Sequence, residues 1–285
     1  MDKFYVITNR SKDPKMEATG FIRAYLEGKG KICCVRENEG REENRAYKYT
    51  DPACVPPDTE CVLVLGGDGT LLRASRDLGE LGLPFLGINM GTLGYLAEIG
   101  RENIKYALDR LIAGEFTIEE RMMIDGAAWR QHKKLLEDVA LNDIVISRLG
   151  RLRVIDFHIF VDDTFLCSYR ADGIIVSTPT GSTGYSLSAG GPIVSPAASL
   201  MLLTAIAPHT LSSRAIVLPD DVKVTVELGG DQETDGGGAE ATFDGDTSIK
   251  MKIGDRIHMM RSSKKTRLIK INHTSFVEIL RKKMN

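Results

Sequence analysis

At 285 residues the chain exceeds one average domain and suits one large or two modest ones, and its 42% apolar content supplies a sizeable core. A net charge of −2 excludes a global pull toward nucleic acid or an anionic membrane. The first residues carry no signal-peptide pattern, and the most apolar stretch, 200–207, is far too short to span a bilayer. A cytoplasmic protein that binds neither nucleic acid nor membrane is expected. Cys33, Cys34, Cys54, Cys61 and Cys167 lack Cys-x-x-Cys spacing and read as thiols of a reducing compartment. The histidines are scattered, so no metal-ligand pair is visible.

Residues 3–8 read as a first strand and 9–12 as a polar loop. Residues 16–26 have apolar residues at helical spacing, and 31–35 read as a second strand. Residues 36–57 are charged and breaker-rich, an exposed connection. Strand 61–65 then runs into Gly66-Gly67-Asp68-Gly69-Thr70, with helical spacing over 71–81 and another strand at 84–88. The alternation predicts a parallel, doubly wound sheet. Strand, glycine loop and helix is the order in which such folds build phosphate sites. The helix is predicted to start near Thr70, aiming free N–H groups at an anion. An acid in a phosphate loop makes sense if a cation shares the site or if the acid takes a proton. A strand-to-helix turn with Asp68 as a cap is the plain alternative. Asn89-Met90-Gly91-Thr92-Leu93-Gly94-Tyr95-Leu96 is either a second ligand loop at the same sheet edge or simple turn chemistry.

A helix is predicted over 102–112. From residue 117 short alternating runs take over, at 139–147, 153–161, 164–168, 173–177, 215–218, 222–228 and 257–261. They predict a β-rich second domain. Residues 231–240 read as a flexible hairpin tip and 274–284 as a closing helix. Arg261, Lys264, Lys265, Arg267 and Lys270 read as a solvated strand face. The stretch from Asp172 to Pro192 is rich in hydroxyls and glycines. Hydroxyls donate and accept, which suits ribose, adenine edges and phosphate, and Tyr185 can stack on a base. An apolar strand and a Gly-Gly-Pro turn bracket it, so an ordered loop is expected. Asn142-Asp143 is either a grip for a ribose diol or a β-turn.

Gly66-Gly67-Asp68-Gly69-Thr70, the 86–94 stretch, Leu141-Asn142-Asp143, the 172–192 stretch and Pro208-His209-Thr210-Leu211-Ser212-Ser213-Arg214 together resemble the NAD kinase family, in the family's order and over nearly the whole chain. The resemblance implies a Rossmann-like α/β N-terminal domain and a β-rich, sandwich-like C-terminal domain. The boundaries expected are 1–117, with 262–285 returning to it, and 118–261 for the domain that binds NAD and makes the oligomer contacts. It implies transfer of the γ-phosphate of ATP to the adenosine-ribose 2′-hydroxyl of NAD, with Mg²⁺ or another divalent cation, in a dimer or tetramer. Asp68 would accept the proton, and would hold the metal through water if it holds it at all. Gly69 would lie in the ligand loop and Arg73 on the phosphate side. Asn142 and Asp143 would bind ribose hydroxyls. Thr183, Tyr185, Ser186 and Ser188 would line the adenine pocket, with Gly184 and Leu187 in the same segment. Arg153, Arg170, Asp172 and Ala207 fall at further dinucleotide positions, some reached from a neighbouring subunit.

Three positions depart from the family pattern. Gly184 stands where Ala is usual, which predicts a more mobile loop. Asp143 stands where Glu is common, and Asp246 where Gln is usual. A lipid kinase shares the glycine loop, but the polar 177–188 stretch offers no acyl-sized groove. A sensor would bind NAD without phosphate transfer. An NAD-dependent oxidoreductase is disfavoured by the missing Gly-x-Gly-x-x-Gly.

Overall fold

A computed structural model describes residues 1–36, 50–91, 94–150, 155–210, 214–230, 238–272 and 274–284. The chain forms two compact units, Met1–Arg121 with Lys264–Asn285, and Met122–Ser263.

In the first unit the strands are β1 (Lys3–Thr8), β2 (Ile32–Val35), β3 (Cys61–Gly66), β4 (Pro84–Asn89) and the short β5 (Ile99–Gly100). They pair in parallel in the order β5-β4-β3-β1-β2. β3 and β4 are buried along their whole length, as strands covered on both faces must be. Helices α1 (Glu17–Gly28) and α3 (Ile104–Ala113) pack on one face, where Ile22, Leu26, Leu108 and Leu111 join Leu63, Leu65, Leu86 and Ile88 in one cluster. Helix α2 (Asp68–Asp77) follows β3 directly and buries Leu71, Ala74 and Ser75. It begins two residues before the predicted start, with Gly67 at its N-cap, so Asp68 is its first residue. The charged connection ends in a short 3-10 turn, Pro52–Cys54, capped by Asp51. Its residues 37–49 lie outside the described residues.

The second unit is antiparallel. Strands β6 (Thr117–Arg130) and β7 (Lys133–Ala140) form a hairpin, and β6 begins in the first unit. β8 (Asp143–Arg148), β9 (Ile155–Val161), β10 (Thr164–Ala171) and β11 (Gly173–Ser177) follow. After a helical turn, α4 (Tyr185–Ser188), come β12 (Leu200–Ile206), β13 (Ile216–Pro219), β14 (Val224–Gly229), β15 (Gly238–Phe243), β16 (Thr247–Lys252) and β17 (Arg256–Lys270). One sheet has the order β13-β12-β11-β8-β15-β16; β10, β9, β14 and the start of β17 form the other. Ile144, Ile174, Leu203 and Phe243 of the first share one core with Phe157, Val226 and Met259 of the second. Two sheets around one core make the sandwich-like architecture expected. The end of β17 belongs to the first unit, where Arg267 and Leu268 pair with Pro84 and Phe85 of β4. Helix α5 (Phe276–Met284) closes the chain.

Several local expectations are corrected. The 139–147 run is broken: β7 ends at Ala140, β8 begins at Asp143, and the N–H groups of Leu141 and Asn142 bond to a side chain instead of a strand. Residues 238–240 are part of β15; the rest of the supposed hairpin tip, 231–237, lies outside the described residues. Lys270 is largely buried and ion-paired with the buried Glu98, so it is not part of a solvated face. Arg261, Lys264 and Lys265 pair with Asp220, Glu80 and Glu120.

Candidate active site

The loops after β1, β3 and β4 lie at the carboxyl edge of the parallel sheet, where α/β folds place ligands. Asn9, just past β1, donates to the Thr70 hydroxyl at 3.2 Å. The N–H of Met90 bonds to the Gly66 carbonyl at 3.0 Å. The Asp68 carboxylate accepts the backbone N–H groups of Tyr95, Leu96 and Ala97 at 2.7, 3.2 and 3.3 Å. A β-carbon on Gly94 would overlap that carboxylate, so only glycine lets the loop come this close. The second glycine loop therefore holds the acid of the first. Buried Asn89 braces this loop by accepting the Gly91 N–H at 2.7 Å. A cavity of about 470 Å³ opens beside it, lined by Asn89, Gly94, Tyr95, Glu98, Lys270 and Lys282 among others. Gly69 and Arg73 are exposed on α2, one residue and five residues after Asp68.

In the second unit the polar stretch folds onto the Leu141–Asp143 turn. The Thr178 hydroxyl donates to the Leu141 carbonyl at 2.6 Å and accepts the Gly181 N–H at 3.0 Å. The Thr178 N–H reaches the Asn142 carbonyl at 2.9 Å. A β-carbon on Gly181 would overlap that carbonyl. The stretch is ordered, as expected, but as a 3-10 turn, Thr180–Thr183, followed by α4. Its buried hydroxyls point inward: Ser182 bonds to the Pro179 carbonyl and Ser186 to Thr204. Thr183 donates to the Thr180 carbonyl at 3.2 Å. Tyr185, Leu187 and Ser188 are exposed, with Tyr185 46% accessible. The buried Asp143 carboxylate accepts the Tyr185 N–H. Burial first, and the Asp244 carboxylate second, push its pKa up to about 7. A β-carbon at Gly184 would sit 3.2 Å from the Gly181 carbonyl oxygen and 3.6 Å from Asp143 Oδ2.

A model of the ATP-NAD kinase N-terminal domain matches residues 28–116, and one of the ATP-NAD kinase C-terminal domain matches 141–271. The NAD kinase of Lachnospira eligens is 43% identical over the whole of both chains. This chain belongs to the NAD kinase family. The NAD kinase of Agathobacter rectalis is likewise 43% identical, over 100% of this chain and 99% of that one. Among solved structures, yeast NADH kinase complexed with NADH superposes with a TM-score of 0.85 at 24% identity, covering 100% of this chain and 87% of that one. An NAD kinase from Archaeoglobus fulgidus in complex with ATP gives 0.73 at 24% identity, covering 95% and 94%.

Within this NAD kinase family member the structure gathers Asn142, Asp143, Gly184 and Tyr185 at one place in the second unit, and surrounds Asp68 in the first. Arg170 and Asp172 are drawn into ion pairs with Asp156 and Arg148. Ala207 is exposed just past β12, at a positive φ of 44°. Arg153 lies outside the described residues, as do residues 92, 93 and 211–213. Sequence reasoning put Gly94 in a candidate loop and Thr178 in the hydroxyl-rich stretch but found neither one's scaffold role, and it gave Asp244 no role. The signal for Asp244 was the Asp-Gly pair of a hairpin turn. Asp246 follows that turn and donates its N–H to the Phe243 carbonyl at 3.0 Å.

Proposed function

We propose that the chain transfers the γ-phosphoryl group of ATP to the 2′-hydroxyl of the adenosine ribose of NAD, giving NADP and ADP. The observation that carries this reading is end-to-end kinship with NAD kinases together with the held carboxylate of Asp68 at the sheet's carboxyl edge. In the step, the ribose oxygen bonds to the γ-phosphorus as the bond from that phosphorus to ADP breaks. The hydroxyl proton passes to Asp68 and then to solvent. The carboxylate need not deprotonate a free hydroxyl; it takes the proton as the new bond forms. Backbone N–H groups fix the carboxylate in place, which is what a loose phosphoryl transfer asks of its enzyme.

Gly69, in the first turn of α2, and Arg73, about one turn further along it, serve the phosphate side. Asn142 and Asp143 take ribose hydroxyls, and Tyr185 with Thr183, Gly184, Ser186, Leu187 and Ser188 forms the base-binding segment. Arg153, Arg170, Asp172 and Ala207 serve the dinucleotide from further out. Among the described residues no group of three His, Cys, Asp or Glu side chains gathers to hold a metal. The lone Asp68 carboxylate fits Mg²⁺, which keeps several waters and is bound through one or two carboxylates plus substrate phosphates; Asp68 would hold it through water. Such an ion would neutralise charge on the phosphates. The first unit is the nucleotide-binding domain, and the second binds NAD and makes the contacts of a cytoplasmic dimer or tetramer. No helix among the described residues is long and apolar enough to cross a membrane.

The test is direct. Protein, NAD, ATP and Mg²⁺ are mixed and NADP is followed with an NADP-specific dehydrogenase. NADP formation in proportion to enzyme supports the reading; NAD binding without NADP identifies a sensor and overturns it.

A further inference from the structure

The Leu141–Asp143 turn is held from a hairpin about a hundred residues away. Asp244, Gly245 and Asp246 join β15 to β16, the first two at positive φ, 51° and 67°. The Asp246 N–H closes the turn on the Phe243 carbonyl at 3.0 Å. Two central residues at positive φ, Asp followed by Gly, are the pattern of a type I′ hairpin, whose twist matches its strands. The hairpin directs the Asp244 carboxylate onto three successive backbone N–H groups. Oδ2 accepts from Leu141 at 2.8 Å, and Oδ1 from Asn142 at 2.7 Å and Asp143 at 3.2 Å. The Asp244 N–H returns a bond to the Asp143 carbonyl at 3.0 Å. One side chain thus satisfies the amides of the two connecting residues and of the first residue of β8.

We infer that Asp244 is a positioning residue for dinucleotide binding: its carboxylate fixes where Asn142 and Asp143 present their side chains, acting through the backbone of the turn. The inference rests on the assignment of Asn142 and Asp143 to the ribose. A turn without this clamp leaves three partly buried amides to find other partners, and the two side chains lose their common origin. The same carboxylate also faces Asp143 electrostatically. It and the Tyr185 N–H are the groups that bear on the Asp143 carboxylate besides burial itself, the first disfavouring its charge and the second favouring it. Asp244 therefore holds the place of Asp143 and, after burial, adds to the rise in the pH at which it ionises.

Two variants separate these effects. Asp244→Asn suits the same turn, because Asn-Gly is also favoured there. It removes the charge and puts a donor where an acceptor is needed. KM for NAD should rise at least about 10-fold, the loss expected of roughly one hydrogen bond to a charged group. At saturating NAD, kcat should stay within a few-fold. The acidic limb of kcat/KM for NAD should move to lower pH, because Asp143 is relieved of a like charge. Asp244→Glu keeps the charge and displaces the carboxylate by one methylene, so KM should rise with the acidic limb left in place. A thermal melt checks that each variant is folded. A wild-type KM and wild-type pH limb in folded Asp244→Asn overturns the proposal, as does a general loss of kcat with KM unchanged. Asp143→Asn is run alongside. If Asp143→Asn weakens NAD binding and Asp244→Asn does not, the positioning role fails and the ribose assignment stands. If Asp143→Asn binds NAD normally, the ribose assignment fails and the positioning role falls with it.

Discussion

The carboxylate of Asp68 fills the space that a β-carbon on Gly94 would need. Gly94→Ala must therefore displace the carboxylate, or withdraw the loop whose amides hold it. A misplacement of about 1 Å at a reacting group costs on the order of 10²-fold in rate. We expect kcat to fall by about that factor while NAD affinity, which the proposed site assigns to the second unit, is retained. Steady-state kinetics with isothermal titration of NAD checks this, and normal turnover would remove Gly94 from the active-site scaffold.

Asp68→Asn removes charge and basicity at nearly constant size. A fall in kcat of at least about 10²-fold is expected for the loss of a positioned acid–base group. The new amide also sets a donor against the N–H groups of Tyr95, Leu96 or Ala97, so stability should fall by about 1–3 kcal/mol. Varying Mg²⁺ distinguishes the roles of the carboxylate: rescue by excess Mg²⁺ marks a metal-holding group, and absence of rescue a base. Near-normal turnover would sink the mechanism.

Tyr185, 46% accessible and directly after Gly184, presents its ring for stacking. Tyr185→Ala should weaken NAD binding by about 1–3 kcal/mol, the range for base–aromatic stacking, and Tyr185→Phe by much less. Equal losses in the two variants would assign the effect to the hydroxyl.

Asp143 gives a pH signature. Its folded pKa, about 7, lies above the ordinary value of 3.8. The unfolded chain thus gives up this proton at lower pH than the folded one. The contribution of Asp143 to stability is fully present below about pH 4 and is lost as pH rises through 7. Under the proposed ribose assignment binding runs the other way, because the ionised carboxylate is the form that would accept hydrogen bonds from two ribose hydroxyls. NAD affinity should rise from pH 6 to pH 8 while the melting temperature loses this contribution. Asp143→Asn should flatten both trends, and unchanged trends would show that Asp143 does not titrate there.

The parallel sheet, the helices and the β-rich half were legible because their signals are local: alternation, helical spacing and glycine punctuation each act over a few residues. The Asp68 loop was legible for the same reason, as strand, glycines and helix are contiguous. What sequence could not reveal are side chains that serve backbone far away. Asp244 looks like an ordinary turn residue until the amides of Leu141 to Asp143 are found against it. Glu98 resembles any surface acid, yet its buried carboxylate accepts the amides of Ile271 and Asn272 and pairs with Lys270. The helix start was placed near Thr70, past the glycine loop, whereas Gly67 takes the cap and Asp68 is already the first helical residue, its carboxylate held by the neighbouring loop.

The grip on Asp68 is made of peptide groups, and a peptide N–H is the same whatever residue carries it. Position 94 is constrained by space, and Leu96 and Ala97 by burial. Tyr95 answers to neither: it lends its amide to Asp68 while its ring lies under the Lys283 ammonium, 4.9 Å from the centroid. The side chain at 95 can thus diverge without loosening the acid two loops away. This gives the fold one place beside its phosphoryl-transfer centre where ligand preference can drift while the chemistry is inherited unchanged.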